Sequence, residues 1–179
     1  SIQHGKPTKV NDIWETSGLN ILETMIQLDG TRQPSLIANM RSARTDISMI
    51  YIPKAFRRAP EQSLRILQPL DTLQDTAEDY TKFDYDVFRN LAFASGNPVY
   101  GLILNSFKNL YSHIGMFYFQ NAEARLLAKR FYANLMDICQ RQAIDEVALC
   151  VLQYGKDSGA IWASMQTQLP ENFAAESLK

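Results

Sequence analysis

The sequence predicts an all-α protein, an antiparallel bundle of about six or seven helices preceded by a short extended segment. Three observations carry that expectation. From Asp12 onward, apolar residues recur at spacings of three and four, the period of one face of a helix. Proline and glycine fall mainly at the ends of those runs, where they start and stop helices. Beyond residue 10 there is no alternating apolar and polar run of the kind a half-buried strand needs.

Residues 1–10, SIQHGKPTKV, are the exception. Short β-prone runs, Ser1-Ile2-Gln3 and Thr8-Lys9-Val10, flank a turn marked by Gly5 and Pro7, the pattern of a hairpin cut off from its sheet. After Asp12, the residues Ile13, Trp14, Leu19, Leu22, Met25 and Ile26 predict an amphipathic helix that stops near Asp29-Gly30. Pro34 suits the first turn of the next helix, whose expected inner stripe is Leu36, Met40, Ala43, Ile47 and Ile50, with Pro53 kinking or ending it. Two further segments, Glu61 to Gln74 interrupted by Pro69 and Thr76 to Ala94, end at the punctuation Ser95-Gly96-Asn97-Pro98. Pro98 starts a segment that is apolar nearly all round from Val99 to Phe119, which predicts one central, deeply buried helix. Asn121 is the expected N-cap of a helix over Ala124 to Ile138, and a last helix spans about Ile144 to Leu169 before Pro170.

Composition narrows the function. A chain of 179 residues, 46% hydrophobic and 21% charged, suits one soluble domain with a substantial core. A formal net charge of -1 argues against a body that grips nucleic acid by itself. Cys139 and Cys150 lie in apolar helical sequence and read as buried thiols in a reducing, cytoplasmic setting; no apolar run spans a bilayer. The eight glycines form neither a P-loop nor a dinucleotide fingerprint, no glutamate has a histidine three residues later, and His4 and His113 are too few for a three-histidine metal site. His113, alone on an apolar helix, reads as a core histidine. These absences argue against an enzyme, a metal centre or a resident cofactor.

Two segments stand out. FDYDVFRNLAFASGNPVYGL, residues 83–102, reads as a tight connection between helices with Phe88, Leu91 and Phe93 turned inward. YGKDSGAIWASM, residues 154–165, places Tyr154, Ser158 and Trp162 on one helical stripe with Gly155 and Gly159 beside it at the same spacing of four. Two glycines inside a helix cost about 1 kcal/mol each against alanine. Either a neighbouring helix or a ligand must come close to the backbone there, and helix packing is the commoner cause.

The blocks IQHGKPTKV, WETSGLNILET, RNLAFASGNPVYGLILN and YGKDSGAIW resemble the fatty-acid-responsive transcription regulators of the GntR superfamily, and the resemblance covers essentially the whole chain. It implies a winged-helix DNA-binding domain followed by a helical domain that binds long-chain fatty acyl-CoA. Residues 1–10 would then be the remnant of the wing, with His4 and Gly5 at the tip that approaches DNA, and 11–179 the effector-binding domain. The intact protein would be a homodimer that leaves operator DNA when acyl-CoA binds, repressing fatty-acid degradation and activating unsaturated fatty-acid synthesis.

The same resemblance assigns site residues. Arg44, Tyr118, Tyr154, Gly155, Ser158, Gly159 and Trp162 match positions around the acyl-CoA head group, and Arg44 carries a guanidinium fork suited to phosphate. Phe88, Leu102, Leu104, Phe107 and Tyr111 would line the acyl-chain pocket while also serving as core. Many relatives bind a metal through an Asp and several His shortly before the turn; Tyr85 and Arg89 stand in two of those places here. That substitution disfavours a metal-dependent, carboxylate-sensing domain. A purely structural helical module is the other alternative.

Overall fold

The computed structural model describes residues 33–171 and 173–176. The extended segment at 1–10, with His4 and Gly5, and the helix expected over 12–30 lie outside the described residues. Within them every regular element is helical: α1 (Gln33–Arg58), α2 (Pro60–Leu67), α3 (Ala77–Ala94), α4 (Pro98–Ser106), α5 (Lys108–Tyr118), α6 (Ala122–Arg141), α7 (Val147–Met165) and the single turn α8 (Phe173–Glu176). Short 3-10 turns at Gln68–Thr72, Ile144–Glu146 and Gln166–Gln168 join them.

Local chemistry sets the boundaries. Thr76 caps α3 by accepting from the Asp79 amide at 3.2 Å, and Asn121 caps α6 by accepting from the amides of Glu123 and Ala124. Gly96 takes the left-handed conformation after α3, φ 88°, and Asn97 then caps α4 with Pro98 in its first turn. At the end of α6, Gln142 adopts φ 54° and its side-chain amide donates to the Phe56 carbonyl at 3.3 Å, tying the end of α6 to the end of α1.

Three expectations change. Pro53 neither ends nor replaces the last turns of α1, which runs on to Arg58. Proline has no amide proton to offer the Met49 carbonyl, but Tyr51, Ile52, Ala55 and Phe56 are completely buried around it, and that apolar burial outweighs the missing bond. The inner face of α1 is also rotated from the expected stripe. Ile37, Met40, Ser48 and Tyr51 face inward, Ala43 is exposed and Ile50 is 49% exposed. The polar residues Arg44 and Ser48 stand on the buried side, which the apolar pattern conceals.

The segment from Val99 to Phe119 is two helices, not one. Phe107, at φ −124° and ψ 25°, breaks it; Ser106 donates its hydroxyl to the Ile103 carbonyl, and the Phe107 ring stacks on Tyr111. Val99 and Met116 remain exposed. The centre of the bundle is α3 instead, packed against α1, α2, α4 and α5 and touching α6. Its buried residues, among them Tyr80, Phe83, Asp84, Val87, Phe88 and Leu91, cover more than one face. Leu102 is half-buried, because Gly101 and Leu104 occupy the inward face of α4.

The α3–α4 contact depends on Gly101. A methyl added there would overlap the Phe93 ring. Gly101→Ala is therefore expected to destabilise the fold by about 1 to 3 kcal/mol through overpacking, despite alanine's better helix propensity. Chemical denaturation followed by circular dichroism measures it, and an unchanged midpoint would show that α4 can retreat without cost.

Candidate ligand site

The site grows from four buried polar side chains on four helices. Asp84 on α3 is 2% exposed and lies on the same stripe as Tyr80, Phe88 and Leu91. Its Oδ2 accepts from the Tyr111 hydroxyl of α5 at 2.5 Å, and its Oδ1 accepts from the Tyr132 hydroxyl of α6 at 2.5 Å. Arg44 on α1 completes the set: Nη1 donates to the Tyr111 hydroxyl at 2.9 Å and stands 3.4 Å from Asp84 Oδ2. The guanidinium also lies over the Phe88 ring, 4.6 Å from its centroid. Burial works against its charge, but Tyr111 and Asp84 more than offset this and hold its pKa above the ordinary arginine value.

Above this network lies a small, partly open cavity of about 30 Å³, lined by Met40, Arg41, Arg44, Tyr111, Tyr118, Tyr154 and Ser158, among others. That is the scale of a water molecule or two. Burial pushes the Tyr111, Tyr118 and Tyr154 hydroxyls well above the usual phenol range, so all three are neutral at physiological pH. Tyr154 stacks flat on Phe131, centroids 4.0 Å apart, and the two side chains also line an open groove of about 870 Å³ between α6 and α7. Tyr154 therefore belongs to the partition between the cavity and the groove.

Arg41, one turn before Arg44, was absent from the sequence-based set. Its Nη2 donates to Ser158 Oγ at 3.2 Å, and the guanidinium sits 5.5 Å from the Trp162 ring centroid and 6.0 Å from that of Tyr118. Burial, then the neighbouring Arg44 charge, lower its pKa to about 10. Arg44 Nε, the Tyr118 hydroxyl and Trp162 Nε1 are buried without hydrogen-bond partners. Asp84, Arg41 and Tyr132 shared one legible signal: charged or hydroxyl groups at core spacing on otherwise apolar faces.

The structure brings Arg44, Tyr111, Tyr118, Tyr154 and Ser158 together around the cavity, with Trp162 beside them through Arg41 and Phe88 beneath. Leu104 and Phe107 are buried but do not line it, and Leu102 stands further out. The two glycines separate. A Cβ at Gly155 would lie 2.8 Å from Thr45 Oγ1 and 3.0 Å from its Cγ2, so Gly155 admits α1 against α7; a Cβ at Gly159 meets nothing within 4 Å. Ser158, 1% exposed, lines the cavity from within the buried interface.

Tyr85 and Arg89 serve packing. Arg89 Nε donates to Asn105 Oδ1 at 2.7 Å and the Tyr85 hydroxyl lies 3.2 Å from the same oxygen. Among the described residues, no three His, Cys, Asp or Glu side chains are grouped so as to hold a metal ion, and no helix is long and apolar enough to cross a membrane. His113 packs on Phe173, ring centroids 4.2 Å apart.

The described residues thus form an all-α bundle with a small polar cavity, lined by Arg41, Arg44, Asp84, three tyrosines and Ser158, among others. Comparison with known proteins gives the family. Residues 11–174 match the FadR C-terminal domain, and the chain belongs to that family. The fatty acid metabolism regulator protein of Pasteurella multocida (strain Pm70) is 65% identical over 173 residues, 97% of this chain and 72% of that protein. Its counterpart in Yersinia enterocolitica is 53% identical over 174 residues, 97% of this chain and 73% of the relative, and the Yersinia pestis (strain Pestoides F) protein matches equally well. These relatives are named as regulators, in agreement with the reading that the chain is no enzyme.

Two substitutions test the energetics. Arg44→Ala leaves the buried Asp84 carboxylate without its cation and is expected to cost about 3 to 5 kcal/mol of stability; a loss under 1 kcal/mol in denaturant titration would mean the two tyrosines suffice. Gly159→Ala, with open space around it, should raise stability by up to about 1 kcal/mol, whereas Gly155→Ala should lower it by pressing on Thr45. Parallel thermal melts decide, and a drop for Gly159→Ala would contradict the assignment.

Proposed function

We propose that this chain is the effector-binding domain of a transcription regulator of fatty-acid metabolism, and that its ligand is a long-chain fatty acyl-CoA. Family membership supports the first part, together with the names of the relatives. The observation that carries the second is the pairing, at one place, of a donor-rich corner with an aromatic interior. Arg41, Arg44, Tyr118 and Ser158 suit an anionic head group, and Phe88, Phe107, Tyr111, Phe131 and Tyr154 suit a hydrocarbon chain. The family match over 11–174 supports assigning the effector-binding domain to 11–179.

On this reading the acyl chain enters by displacing side chains, because a close-packed interior with about 30 Å³ to spare holds no preformed tunnel. Moving the Tyr154 ring off Phe131 would join the cavity to the α6–α7 groove and lengthen it without unfolding a helix. The Arg44–Asp84–Tyr111–Tyr132 network lies in the path, so ligand entry shifts α1, α3, α5 and α6 relative to one another. In the intact homodimer such shifts reach the DNA-binding domains and release operator DNA.

Calorimetric titration of the chain with oleoyl-CoA, a shorter acyl-CoA and CoA itself tests the proposal. One oleoyl-CoA should bind per chain. Affinity should fall as the acyl chain shortens, by up to about fourfold per methylene, from about 0.8 kcal/mol for each one buried. Oleoyl-CoA giving no heat and no shift in melting temperature would remove the acyl-CoA reading.

A further inference from the structure

Arg41 and Arg44 stand one turn apart on α1, but only one has its charge matched. Arg44 has Asp84, with Tyr111 accepting a second contact. Arg41 forms no ion pair among the described residues; its polar partner is a hydroxyl, Ser158 Oγ, whose proton goes in turn to the Gly155 carbonyl at 3.3 Å. Its guanidinium also lies near the rings of Trp162 and Tyr118. A largely buried cation without an anion is an expensive arrangement, and the depressed Arg41 pKa of about 10 reflects that cost.

The groups around it do not relieve this. The Tyr118 hydroxyl lines the same cavity, its residue is 7% exposed, and it has no hydrogen-bond partner. Among the described residues Arg44 Nε lacks a partner too, while Asp84 already takes contacts from Tyr111, Tyr132 and Arg44. Two arginines and an unpaired hydroxyl therefore meet in this corner around the single carboxylate of Asp84, a setting that favours an anionic group. Arg41 and Arg44 are both half-buried and both line the cavity.

We infer that Arg41, with the Tyr118 hydroxyl beside it, is the anion-recognising element of the site and receives a phosphate oxygen of the CoA moiety, while Arg44 stays with Asp84 as part of the framework. The inference rests on the acyl-CoA reading above and specifies which arginine meets the ligand's charge. A guanidinium held between aromatic faces, one N–H on Ser158, keeps other N–H groups for a phosphate, and its orientation is already fixed before the ligand arrives.

Arg41→Leu and Arg41→Lys, titrated with oleoyl-CoA and with the phosphate-free thioester S-oleoyl-pantetheine at low and high salt, provide the test. Arg41→Leu should lose about 10- to 100-fold in affinity for oleoyl-CoA, the scale of one charged hydrogen bond. It should also flatten the salt dependence and leave S-oleoyl-pantetheine binding unchanged, with Arg41→Lys falling between. The melting temperature of Arg41→Leu should hold or rise, since an unmatched buried charge has been removed, so lost binding is not lost folding. Unaltered oleoyl-CoA affinity in Arg41→Leu would overturn this inference alone, as would an equal loss for both ligands. Failure of the unsubstituted chain to bind oleoyl-CoA would overturn the acyl-CoA reading and this inference with it.

Discussion

The bundle is organised around one buried carboxylate. Asp84 sits on the central helix with almost no exposure, where an unpaired charge would cost several kcal/mol. It is tolerated because three donors reach it from three different helices: Arg44 from α1, Tyr111 from α5 and Tyr132 from α6. Each of those bonds requires its helix at one rotation and one height relative to α3. A helix turned by one residue would rotate by about 100° and withdraw its donor. Apolar contacts alone tolerate such slippage better, so the polar node supplies a register that the surrounding aromatic packing does not.

That node divides the labour of the two arginines. The charge of Arg44 is committed to structure, pinned against Phe88 and Asp84. Arg41 stands on the same face a turn earlier, its charge uncommitted. The helix that holds the bundle together thus also presents a second cation to the cavity, which sits directly over the network. Anything large that enters must act on the contacts that set helix register. A small cavity in a close-packed interior is well suited to report occupancy, since interiors of this density move in discrete steps and do not deform smoothly.

Much of the fold was legible because capping chemistry is local. Thr76, Asn97 with Pro98, and Asn121 mark helix starts by side-chain bonds that reach only two or three residues, and each lies where the pattern placed it. Pro53 and Phe107 misled for the opposite reason. Whether a proline is carried inside a helix depends on burial around it, and whether an apolar run breaks at Phe107 depends on the aromatic partner waiting on α5. The inner face of α1 was misread because an apolar count cannot see that Arg44 and Ser48 face inward. The resemblance nevertheless pointed to Arg44, Tyr118, Tyr154 and Ser158, which do meet around one cavity. Asp84, Tyr132 and Arg41 stand at core spacing on their own helices, but their pairing across helices leaves no pattern along the chain. Of the two cysteines expected as buried thiols, both are free but only Cys139 is buried, Cys150 being half-buried; burial pushes both up to about 11.

The network also governs how sequences of this kind can drift. Arg44, Asp84, Tyr111 and Tyr132 satisfy one another, so losing any one strands the rest, and their effects on stability are strongly non-additive. Such a quartet changes together or hardly at all. Arg41 leans on a hydroxyl and two ring faces and leaves no buried partner charge behind when replaced. The charge at the cavity can therefore change by single steps at Arg41, on a scaffold whose own polar centre is held still by mutual dependence.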